Sequence, residues 1–177
     1  MVSRRYFCLA LCAAPGLARA DLYDDYINSK SRQAFVAFLG RKGSTATVGH
    51  AFVAVGVQIE AGLQIYERFF GLYPKEGSLA AIKSIFTPTS GRIDYTWDDV
   101  AWDSQLRQSI DDDQKALVLA AFAKWSSDAP QYALLGNGAI NCNGLVSEVA
   151  RGAGLKVPGG AGTTRPWKFI EALKALN

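Results

Sequence analysis

Apolar residues gather in two short runs near the front of the chain. Residues 33–40 (Gln-Ala-Phe-Val-Ala-Phe-Leu-Gly) and 50–58 (His-Ala-Phe-Val-Ala-Val-Gly-Val-Gln) are rich in Phe and Val, and the turn-like segment 41–45 (Arg-Lys-Gly-Ser-Thr) separates them. Aromatic and β-branched residues suit a pleated, half-buried surface, so the pair predicts two antiparallel strands. A third run, 63–70, follows Glu60-Ala61-Gly62, where Gly supplies the positive φ of a tight connection. The three runs predict a meander. Residues 71–106 are interrupted by Pro74, Gly77, Pro88 and Gly91 and yield one further strand, 92–97.

From Asp111 the apolar period lengthens to that of a helix. Asp111 is an N-cap with Gln114 three residues on, and Ala116, Leu117, Leu119, Ala120, Phe122 and Ala123 follow at helical spacing. The run Asp111-Asp112-Asp113 is read as a helix start meeting the macrodipole rather than as a metal site. A second helix is expected over 142–153, with Leu145, Val146, Val149, Ala150 and Ala153 on one face and Gly154 ending it. A third is expected from Pro166, turning Trp167, Phe169, Ile170, Leu173 and Leu176 inward. Strands first and helices later predict the α+β class, an antiparallel sheet meander with helices packed on it.

Composition changes this picture mainly at the N-terminus. Residues 1–20 pass from Arg4-Arg5 through the apolar stretch 6–14 to Ala18-Arg19-Ala20, a small-x-small end that signal peptidase reads, so the mature chain is expected to begin at Asp21. The segment Ser3-Arg4-Arg5-Tyr6-Phe7 fits twin-arginine export as well as the general route. The apolar stretch is about half the ~20 residues of a membrane-spanning helix, and no transmembrane anchor is expected. The remaining 21–177 suit one domain, because 49% of all residues are hydrophobic and only 20% charged. Loss of Arg4, Arg5 and Arg19 leaves sixteen basic residues against sixteen acidic ones. With no basic stripe for phosphates, nucleic acid is not an expected partner.

The cysteine count carries the chemistry. Cys8 and Cys12 fall within the leader, so Cys142 stands alone in the expected mature chain, and His50 is the sole histidine. An imidazole beside a thiol takes its proton and stabilises the thiolate, and a helix start lowers a thiol pKa further through its unpaired N–H groups. Those groups can also hold an oxyanion, and Asn141 and Asn143 can cap the helix or donate to that oxyanion. One His and one Cys fall short of a metal site. No metal or cofactor is expected.

The pieces Thr47-Val48-Gly49-His50-Ala51-Phe52-Val53 and Asn141-Cys142-Asn143-Gly144-Leu145-Val146-Ser147-Glu148-Val149 resemble the circularly permuted branch of the NlpC-type papain-fold superfamily, which includes the lecithin–retinol acyltransferase-like proteins. In that branch a strand-borne His precedes a Cys that opens a helix. The resemblance implies a permuted papain-like fold with Cys142 as nucleophile and His50 as base. It also implies a third polar group on the strand after the histidine, for which Glu67 is chosen over Gln64, a dyad without a third residue remaining open. With export, it implies an amide hydrolase (a cysteine peptidase) acting in the periplasm or outside the cell on peptides such as those of peptidoglycan. Two other readings stay open. The same thioester could pass to another acceptor or come from a lipid ester, with Phe69, Phe70, Tyr73, Trp97, Trp102 and Trp167 lining an apolar groove; or the chain could be an exported binding module without catalysis.

Overall fold

A computed structural model describes residues 32–44, 49–59, 62–75, 82–94, 101–136 and 138–177. The expected leader and the cleavage point before Asp21 lie outside the described residues. The architecture is α+β: among the described residues, a six-stranded antiparallel sheet with three helices. Strands β1 (Arg32–Arg41), β2 (His50–Ile59), β3 (Gln64–Pro74) and β4 (Thr89–Asp94) pair in chain order, the meander that the apolar runs predict. β5 (Ser104–Ser109) returns to the other side of β1 and β6 (Gln131–Tyr132) adds to β4, giving the order β5-β1-β2-β3-β4-β6.

The sheet departs from the expectation at its margins. β4 begins three residues before the predicted 92, and positions 95–97 lie outside the described residues. The hydrophobic pattern predicts neither β5 nor β6. β5 is an edge strand with Leu106 its only apolar residue, and β6 is two residues long, so neither needs the apolar alternation by which strands are recognised.

Both faces of β1 and β2 are covered, which explains their unbroken apolar runs. On one face Val36, Phe38, Ala51, Val53, Val55, Phe70 and Leu72 meet the helices. On the other, Phe35, Ala37, Leu39, Phe52, Ala54, Tyr66 and Phe69 form a second cluster against Trp102. Each such Val, Leu or Phe contributes roughly 1.5–3 kcal/mol when fully buried.

Helix α1 (Asp112–Ser127) starts at a complete capping box between Asp111 and Gln114. It buries Val118 and Phe122 and leaves Leu117 exposed, because its inward line follows 118, 122 and the half-buried Trp125. Helix α2 (Cys142–Gly152) buries Leu145, Val146, Val149 and Ala150 against the sheet, as predicted. Gly154 follows its C-cap at φ +79°, a left-handed conformation that ends the helix cheaply only for glycine. Helix α3 (Pro166–Leu176) buries Phe169, Ile170 and Leu173, while Trp167 is half-buried and the terminal Leu176 exposed. All three helices lie over the face bearing Ala51, Val53 and Val55, so Cys142 belongs to that side of the sheet.

Candidate active site

Cys142 occupies the first position of α2 and is buried. Asn141 caps the helix: its Oδ1 accepts from the Gly144 N–H at 3.0 Å. Its Nδ2 donates to the carbonyls of Leu134 at 2.9 Å and Ala161 at 3.0 Å. Asn143 Nδ2 likewise donates to Ala161 O at 3.0 Å and Thr164 O at 2.7 Å. The capping expected of Asn141 is therefore present. Oxyanion donation from the two amides is not, because carbonyls of residues 134–164 already take their N–H groups. Together they tie segment 161–164 to the start of the helix.

The backbone N–H groups of Ala51, Asn143 and Cys142 itself favour the anion of the sulfur. Burial outweighs them and pushes the thiol above its usual pKa, so the resting sulfur is protonated. The Ala51 contact places the sulfur against the opening of β2, directly beside the backbone that carries His50.

The histidine side chain points elsewhere. Side chains alternate along a strand, and His50 shares its face with Phe52 and Ala54, opposite the helices. Its ring stacks on Tyr73 at 4.0 Å between centroids and on Phe52 at 5.8 Å. Nε2 is buried without a hydrogen-bond partner and faces Gly71, where a Cβ would collide with it. Burial lowers the His50 pKa to about 3, Arg41 lowers it further, and Asp94 acts in the opposite direction. The imidazole is therefore neutral at rest. Cys142 and His50 are brought to the same strand start, but no hydrogen bond joins Nε2 to the sulfur.

Glu67 does not serve as the orienting group. The β2–β3 register shifts between Val55 and Gly56, and Glu67 is the extra residue of that bulge, between Tyr66 opposite Gly56 and Arg68 opposite Val55. That position is five residues along β2 from His50, roughly 17 Å at about 3.3 Å per residue. Glu67 instead meets Lys115 of α1 at 2.7 Å. Gln64, the rejected alternative, pairs with Gln58 still farther along β2. The acid that acts on His50 is Asp94, opposite Gly71 in the β3–β4 ladder and bonded to Arg92 at 2.9 Å. It lies two strands from the histidine, and its only signal in the sequence is its place in the predicted strand 92–97.

A pocket of about 140 Å³ opens at the start of α2, with Cys142 and Asn143 on one wall, Leu134 and Leu135 on another, and Thr164 and Arg165 on a third. Arg165 was not singled out by sequence reasoning, because one arginine before a proline carries no pattern. Among the described residues no group of three His, Cys, Asp or Glu side chains could hold a metal ion, and no helix is long and apolar enough to cross a membrane. Compared with family models, with curated proteins and with solved structures, the chain matches none.

Proposed function

We propose that the chain is a thiol-dependent hydrolase of amide bonds, with Cys142 as nucleophile and His50 as general base. The observation that supports this most is the sulfur's setting: at a helix start, beside backbone N–H groups that favour its anion, on the wall of a pocket. Such donors stabilise a thiolate and then the oxyanion of a tetrahedral intermediate. The order of a His-bearing strand before a Cys-bearing helix supports the resemblance to a permuted papain-like fold.

In this reading His50 leaves its stack on Tyr73 and turns about the strand start to meet the sulfur. It takes the thiol proton as the S–C bond forms, and gives that proton to the leaving amine as the C–N bond breaks. Water, deprotonated by the same imidazole, then cleaves the thioester and restores the thiol. An acceptor other than water would make the same thioester an acyl-transfer intermediate. The expected leader would place the enzyme in the envelope, where peptidoglycan peptides supply amide bonds.

One observation favours a second reading, a binding module with a structural thiol: burial holds the thiol protonated while the imidazole stacks on Tyr73 and Phe52 with no bond from Nε2 to the sulfur. Treatment with p-nitrophenyl acetate separates the two. The hydrolase gives a burst of nitrophenolate and a transient mass increase of one acetyl group on Cys142, absent from Cys142→Ser. A thiol that stays unmodified while the fold is intact contradicts the hydrolase.

A further inference from the structure

The pocket beside Cys142 contains groups that the thiol chemistry does not use. Two eleven-residue helices begin at it, α2 through Cys142 and Asn143 and α3 through Arg165 and Pro166. α3 starts without a side-chain cap, so its first free N–H groups and the positive end of its dipole are available to an anion. Arg165 is exposed and makes no ion pair among the described residues. Among the described residues no carboxylate lines the pocket to neutralise it.

A second, independent feature is polar and buried. Asn143 is 1% exposed, and its orientation is fixed because Nδ2 donates to two carbonyls. Its Oδ1 has no hydrogen bond. A buried acceptor left in this state carries a desolvation cost that an N–H from a ligand would offset.

We propose that the pocket recognises an acylated amino acid or peptide end bearing a free carboxylate. Arg165 and the start of α3 hold the carboxylate, and Asn143 Oδ1 accepts from the neighbouring amide N–H. This rests on the hydrolase reading for turnover and names its substrate class, peptide amides with a carboxylate close to the scissile bond. Recognition itself needs neither the thiol nor His50.

N-acetylglycine, N-acetylglycinamide and N-acetylsarcosine test it as probes, titrated into the full chain by NMR or calorimetry. The acid has carboxylate and N–H, the amide lacks the charge, and the sarcosine derivative lacks the N–H. N-acetylglycine should bind more tightly than either, by roughly tenfold over the amide, about 1.4 kcal/mol. Arg165→Gln should remove the preference for acid over amide, Arg165→Lys should keep part of it, and melting curves should show all three proteins folded. Equal affinity for acid and amide, no saturable binding of the acid, or a preference that survives Arg165→Gln overturns the proposal. N-acetylsarcosine binding as well as N-acetylglycine overturns the part assigned to Asn143. Binding by Cys142→Ser separates the two ideas: acid-selective binding in a wild type that never acylates leaves the pocket assignment standing without the hydrolase, and acylation without acid selectivity does the reverse.

Discussion

His50 and Cys142 are both buried and both neutral at rest, and each shift has a pH consequence. The folded pKa of His50 lies near 3 against 6.5 for a free histidine, so below pH 6.5 the unfolded chain takes up a proton that the native chain refuses. Stability from the neutral ring is present above 6.5 and is lost as pH falls toward 3. His50→Ala lacks this loss. The stability gap between wild type and variant, from urea unfolding, should narrow by roughly 3 kcal/mol between pH 7 and pH 4. A gap that stays constant with pH would show that His50 is not held neutral. At Glu67 the expectation is the opposite of a catalytic role. Its pair with Lys115 is partly exposed, so Glu67→Gln should cost no more than about 1 kcal/mol and leave the reactivity of Cys142 unchanged. A loss of reactivity would return Glu67 to the site.

At the scale of elements, the site depends on how α2 is started and how β3 lets the histidine in. Asn141 closes the first turn and ties it to Leu134 and Ala161. Asn141→Ala removes a cap worth about 1 kcal/mol and two part-buried bonds of about 1 kcal/mol each, for a total loss of roughly 2–3 kcal/mol by denaturant melt. A loss under about 0.5 kcal/mol would show the cap to be dispensable. Gly71 is the counterpart on the sheet. A methyl group there would strike His50 Nε2 and crowd the Tyr73 ring, so Gly71→Ala should cost about 1–3 kcal/mol and move the imidazole from its stack. The His50 ring signals in NMR should shift accordingly. Unchanged ring signals and stability would contradict the packing described.

On the scale of the whole molecule, what could be read in advance follows from what each feature leaves in the sequence. The meander of β1 to β3 is legible because Phe and Val runs are long and bounded by turns, and α2 is legible because an Asn cap, an apolar face and a closing Gly154 agree. β5 escapes notice since an edge strand of Ser, Gln and Arg carries no apolar alternation. The Glu67 expectation failed on distance: Glu67 lies beside Val55 and Gly56, five residues along β2 from His50, and composition does not mark which residue of β3 comes to rest near the histidine. The same period of two, followed from Ala51, puts His50 on the face away from α2, a consequence the motif likeness alone does not reveal. Thiol reactivity joins these scales, because it depends on the helix start, the strand and the histidine together. The direct test is the pH dependence of Cys142 alkylation by iodoacetamide in wild type and His50→Ala. If His50 can reach the sulfur, the wild type reacts with a plateau well below the ~8.5 of a free thiol, and the variant loses that plateau. A thiol that reacts slowly at every pH until the protein unfolds, identically in both, would contradict the account.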